Sequence, residues 1–145
     1  MGKRFKMNEV QPDAYQVMRE LSKYVAATGI APLHQELIKI RASQINGCAY
    51  CLNMHAKAVR KLGESEQRIY LLSAWRDAPI YTEDERLMLE MTEEITLIHQ
   101  QGLSDSLYQR AITRFGEEKT AQVIMTIVTI NAWNRIMASL QTAPE

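Results

Sequence analysis

Two cysteines in 145 residues are too few for the disulfide scaffold of a small secreted domain. Six glycines and four prolines leave no low-complexity tract and no linker long enough to divide the chain, so a single domain is expected over residues 1–145. Charge of one sign is also missing. Seventeen Lys plus Arg balance 17 Asp plus Glu, so no global field draws in nucleic acid or an anionic membrane, and neither is expected as a partner. The most apolar stretch, Ala121 to Leu140, is broken by Gln122, Asn131, Asn134 and Arg135, which most membrane helices would not carry unpaired in lipid. A buried helix of the core or of a subunit interface is the expectation there. The start, Met1 to Lys6, is basic but has no apolar stretch behind it, which argues against a secretory signal and for the cytoplasm. Lys6 also breaks the myristoylation pattern.

Alternation of β-branched or aromatic residues with polar ones is nearly absent as well, whereas helical spacing recurs along most of the chain. The fold class expected is all-α, a bundle of about six to seven helices. The first begins near Pro12 or Asp13, turns Tyr15, Val17, Met18, Leu21 and Val25 inward, and stops at Thr28-Gly29. A second runs from about Leu33 to Ile45, and Asn46-Gly47 separates it from a third, about Cys48 to Leu62. Shorter helical stretches follow over Ser65 to Trp75 and Thr82 to His99, the latter opened by a Thr82/Glu85 capping box. Two more are expected after Gly102 and Gly116.

The cysteines stand three residues apart, as Cys48-Ala49-Tyr50-Cys51. On a helix, Cys48, Cys51 and His55 fall within a sector of about 60° that also holds Leu52, Val59 and Leu62, so this side faces inward. Tyr50, Asn53, Lys57, Arg60 and Lys61 fall on the other, solvated side. In the first turn, unpaired backbone N–H groups and the helix dipole favour a thiolate, the form that attacks peroxides and disulfides. His55, one turn beyond Cys51, can take the thiol proton. The short turn at Asn46-Gly47 makes an antiparallel hairpin, which puts Glu36 and His55 at similar heights, ~15 Å and ~12 Å from it. Its neighbours Leu33, Leu37 and Ile40 place Glu36 on a packed face, where a carboxylate needs a partner. A relay of Glu36, His55, Cys51 and Cys48 results: carboxylate orients imidazole, imidazole takes the thiol proton, and the second thiol closes a disulfide. Cys51, nearer His55, is the expected attacking residue.

Glu36-x11-Cys48-x2-Cys51-x3-His55 resembles the core motif of the alkylhydroperoxidase AhpD-like proteins of the carboxymuconolactone decarboxylase superfamily. The similarity extends through "LLSAWRDAPIYTEDERLMLEMTEEITLI" and "TIVTINAWNRIMASL", covering roughly residues 8 to 141. The resemblance implies an AhpD-like helical bundle with the cysteine pair at the start of a central helix, assembled as a trimer or hexamer. It implies that Glu36 and His55 act as proton relay and that Cys48 and Cys51 are the peroxide-reducing dithiol. The substrate implied is a small hydroperoxide, reduced at the expense of a dithiol or disulfide reductant, with the Cys48-Cys51 disulfide in place of any bound cofactor. The best-described members carry a second His where this chain has Tyr50.

Other readings of the same residues stay open. Cys48, Cys51 and His55 with Glu36 or His34 can supply four zinc ligands, although a structural zinc site usually draws Cys pairs from two segments. Superfamily members without the cysteines act on lactone acids, and a lyase would use His55 and Glu36 as acid and base. A redox-sensing helical oligomer would form the disulfide without turnover. His34 and His99 read as surface or helix-end residues, Trp133-Asn134-Arg135 as packing, and Trp75 and Tyr81 as closing the core beside Pro79.

Overall fold

The computed structural model describes residues 3–145; the reading of the basic start rests partly on Met1 and Gly2, which lie outside them. Among the described residues there are seven α-helices and no strand. They are α1 (Met7–Val10), α2 (Pro12–Ala26), α3 (Pro32–Asn46), α4 (Ala49–Lys61), α5 (Glu66–Tyr70), α6 (Glu83–Thr96) and α7 (Asp105–Ser139), with a 3-10 turn at Leu72–Ala74 after α5.

Local chemistry marks most of the ends. Prolines open α2 and α3, where a missing N–H costs nothing. Ser65, Thr82 and Ser104 each accept a hydrogen bond from the backbone N–H three residues on, and Glu85 returns the bond to complete the capping box of α6. Gly47 ends α3 at φ 66°, a left-handed turn that only glycine adopts without strain, and α4 starts two residues later. The two helices expected after Gly102 and Gly116 are both present within Asp105–Ser139, parted where Gly116 leaves helical geometry at φ 78° and ψ 172°. The helical stretch expected over Ser65 to Trp75 is broken into α5 and the 3-10 turn.

Helix α3 is the centre of the packing. It lies against α4, α6 and α7 and buries Leu37, Ile38, Ile40, Ala42 and Ser43 on several sides. Ile38 joins Leu87, Met88, Met91, Val123 and Ile127 in one apolar cluster, while Leu37 and Ile40 join Val59, Leu72, Trp75 and Leu89 in another. The burial of Trp75 and Tyr81 agrees with their expected place. The amides that interrupt the last helix also find their partners: Asn46 donates to Asn131 (2.9 Å) and Asn134 (3.0 Å), and Asn134 donates to Ser43 (3.0 Å). These bonds tie the end of α3 to α7 and so hold the turn from which α4 begins, because buried amides left unpaired would cost stability. No described helix is long and apolar enough to cross a membrane.

Val17 and Leu62 depart from the helical wheel. Val17 stays 68% exposed, on a side of α2 that its neighbours leave open, and Leu62 lies past the last regular turn of α4.

Candidate functional site

The α3–α4 hairpin brings Glu36 and His55 together. The Nδ1–H of His55 donates to Glu36 Oε2 at 2.7 Å, since a carboxylate offers only acceptors. Both side chains are largely enclosed, at 12% and 14% exposure. Lys39, one turn along α3, donates to the other oxygen, Glu36 Oε1, at 3.2 Å. Burial pushes the Glu36 carboxyl upward, but the hydrogen bond and charge of His55, and then Lys39, outweigh it and hold the group below its ordinary value of 4.5. Glu36 is therefore an ionised anchor that leaves His55 Nε2 free to exchange a proton.

Cys48 is the N-cap of α4 rather than part of its first turn. Its sulfur accepts the backbone N–H of Cys51 at 3.3 Å, and the two residues are joined as a disulfide with Cα atoms 5.4 Å apart. Ala42 and Ile130 pack behind the pair, which is almost fully buried. Cys51, but not Cys48, lines a partly open cavity of about 280 Å³ bordered by α2, α3, α4 and α7. His55 and Met54 share that lining. Thus Cys51 and His55, one helical turn apart, open onto the same space.

Tyr50 lies where the wheel did not put it. Instead of facing solvent it packs with Trp133 and Met137 against the cysteine cluster and lines the cavity beside Cys51. Burial, with Glu145 and Tyr15 nearby, pushes its hydroxyl upward, so it remains a neutral phenol. The reason is tertiary: at the start of α4, neighbouring elements pass over the face that an isolated helix would present to water.

Helix α2 supplies the remaining wall; helical spacing turned its Tyr15 and Val25 inward but did not single out Arg19 or Ser22. Tyr15, Arg19 and Ser22 line the cavity at helical intervals. Tyr15 meets Trp133 edge to face, with ring centroids 5.3 Å apart, and Trp133 donates to Ser22 Oγ at 2.8 Å. Only the Glu36/Lys39 spacing carried a readable signal for a further wall residue, as an (i, i+3) pair. His34 is not brought to the cysteines; it lies 3.8 Å from Glu85, and His99 is exposed. Among the described residues no three His, Cys, Asp or Glu side chains converge as a metal-ligand group.

Residues 12–94 match the carboxymuconolactone decarboxylase family. The chain is similar to the uncharacterized protein YdfG of Bacillus subtilis, 41% identical over 140 residues that cover 97% of this chain and 95% of that protein. Its structure is similar to that of a protein of unknown function from Agrobacterium tumefaciens, a candidate antioxidant defence protein AhpD. The two superpose with a TM-score of 0.95 at 36% identity, over 99% of each chain. The debrominase Bmp8 shares the fold at a TM-score of 0.83 and 18% identity, over 94% of this chain and 74% of that one.

Proposed function

The chain belongs to the carboxymuconolactone decarboxylase family, and within it we propose that this protein is an AhpD-like thiol peroxidase cycling between the Cys48/Cys51 dithiol and its disulfide. One observation carries the reading: Cys51 and His55 line one cavity, with His55 held from behind by an ionised Glu36 and Cys48 within disulfide reach. In the proposed cycle His55 Nε2 takes the Cys51 thiol proton, and the thiolate attacks the terminal oxygen of a hydroperoxide. The O–O bond breaks, an S–O bond forms, and His55 returns the proton to the leaving alkoxide as alcohol. The Cys51 sulfenic acid condenses with the Cys48 thiol, releasing water and forming the disulfide. A dithiol reductant then gives up two electrons and two protons and leaves as its own disulfide. Self-association as a trimer or hexamer belongs to this reading; exposed Val17, Tyr24 and Val128 support it.

Stoichiometry tests the cycle. Fully reduced protein given an organic hydroperoxide without reductant is expected to consume one equivalent per chain, lose both thiols and lose the mass of two hydrogens; added dithiol should make consumption continuous. Peroxide consumption with both thiols intact would overturn the proposal.

Glu36→Gln keeps the shape of the pair but removes the charge that anchors it. The expected result is a slowing of Cys51 oxidation by about 10²-fold, near the lower end of what a positioned proton transfer contributes. The sign of the pH effect follows from the depressed carboxyl. The wild-type pair is fully formed above the ordinary value of 4.5 and is lost only as pH falls through the lower folded value. The variant lacks it at every pH, so the rate ratio should stay constant from neutrality down to about pH 5 and close below. Stopped-flow oxidation of the reduced proteins measures this, and an unchanged rate would remove Glu36 from the relay.

A further inference from the structure

We propose that the cavity beside Cys51 is built for a carboxylate on an apolar body, so that, given the peroxidase reading on which this rests, the substrate is the hydroperoxide of an organic acid. Size gives the first reason. A cavity of about 280 Å³ is far larger than hydrogen peroxide requires, since a water molecule occupies only about 30 Å³. Its walls suit carbon: Tyr15, Tyr50, Met54, Ile130, Trp133 and Met137 all contribute to the lining.

The charges in that lining give the second reason. Arg19 from α2 and Lys39 from α3 border the cavity, and no Asp or Glu does. The whole chain is electrically balanced, so this excess of cations is local. Lys39 already bonds Glu36, whereas Arg19 has no carboxylate partner among the described residues. Arg19 is exposed at the border of an apolar cavity with no anion of its own, a position suited to a ligand carboxylate, which it can grip through two parallel hydrogen bonds. Lys39 contributes a second cation, from α3, although it is shared with Glu36. His55 completes the ionisable groups facing the space beside the tyrosines and Cys51, and its Nδ1 is held by Glu36. A ligand anchored at Arg19 shares one cavity with the aromatic side chains, Cys51 and His55.

Matched pairs of compounds test this in two separate arms. In the first, calorimetry on the oxidised protein compares 4-isopropylbenzoate with its methyl ester; about tenfold tighter binding of the acid is expected, narrowing with added salt. In the second, kcat/KM is compared for the hydroperoxides of the same acid and ester, with about a tenfold preference for the acid. Arg19→Gln should bring both ratios close to one, while Lys61→Gln, on the exposed side of α4, should leave both ratios where they were. Equal binding of acid and ester, or a ratio unmoved in Arg19→Gln, overturns the inference even if both hydroperoxides are reduced. Preferential binding of the acid with neither hydroperoxide reduced would instead uphold the carboxylate site and remove the peroxidase reading.

Discussion

Cys51→Ser is expected to lower hydroperoxide turnover on the order of 10³-fold or more, because a hydroxyl at this place is neither acidic enough to ionise beside His55 nor able to accept the peroxide oxygen. Cys48→Ser should behave differently. Its Cys51 thiol still lines the cavity with His55, so the first oxidation should proceed and then stall, since no second thiol is present to condense with the sulfenic acid. Intact mass after brief exposure to hydroperoxide should show one added oxygen on Cys51 in Cys48→Ser and little on Cys48 in Cys51→Ser. The asymmetry comes from which cysteine lines the cavity rather than from sequence order. Both sulfurs belong to almost fully buried residues, but Cys48, the N-cap of α4, is absent from the cavity lining to which Cys51 and His55 contribute. Sulfenic acid trapped mainly on Cys48 would reverse the assignment. Full activity on a lactone acid in a variant lacking both cysteines would favour the lyase chemistry over the thiol cycle.

The second large effect concerns stability, at a site remote from the cysteines. Arg68 of α5 binds Glu64 Oε1 through Nε at 2.9 Å and also donates to Glu85 and to the carbonyl of Ile80. Its guanidinium lies over the Tyr81 ring, 4.7 Å from the centroid. The two carboxylates are 5% and 3% exposed, and Glu64 Oε2 has no partner. Arg68→Met should therefore cost about 3–5 kcal/mol, since it leaves two buried negative charges without their cation. Pairing it with Glu85→Gln should recover part of that loss, because one of the stranded charges is then gone.

The pH dependence of that loss has a definite sign. Burial pushes the Glu85 carboxyl upward, but the Arg68 bond, then the Thr82 backbone, hold it below 4.5. In the wild type this contribution is complete above the ordinary carboxylate range and disappears as pH falls through the lowered folded value. Without Arg68 the upward push of burial on Glu85 loses its main opponent, so that carboxylate takes up a proton at higher pH and the penalty shrinks on acidification. Urea unfolding of the oxidised proteins at about pH 7.5 and about pH 5 should show the larger deficit at the higher pH. A deficit below about 1 kcal/mol at both would mean that the network is solvated rather than buried.

How much of this could be read in advance depended on whether the cause was local. The capping box at Thr82 and Glu85 and the turn at Gly47 are decided within a few residues, and each lies where its sequence signature places it. The meeting of Glu36 with His55 is longer in range but still follows from two helical rises and one tight turn. The break at Gly116 was legible too, since glycine takes φ 78° there at no steric cost and one helix stops where the next begins. The division of Ser65 to Trp75 into α5 and a 3-10 turn was not.

Tyr50 and Arg19 show the same limit at the site. A helical wheel ranks the faces of one helix by polarity, but it contains no information about which neighbour covers a face. Tyr50 became a cavity wall because other elements close over the first turn of α4, and Arg19 joined it because one side of α2 borders the same cavity.

The sequence by itself determined an all-helical chain, a cysteine pair at the start of a helix and a carboxylate–imidazole pair across a hairpin, because these depend on spacing and short turns. Tertiary structure alone decided that Cys51 rather than Cys48 meets the cavity, and that the cavity is walled by aromatics with two cations and no acid. Those features arise where four helices converge, and the depth of a buried space depends on how their side chains fill it rather than on the order of residues along any one of them.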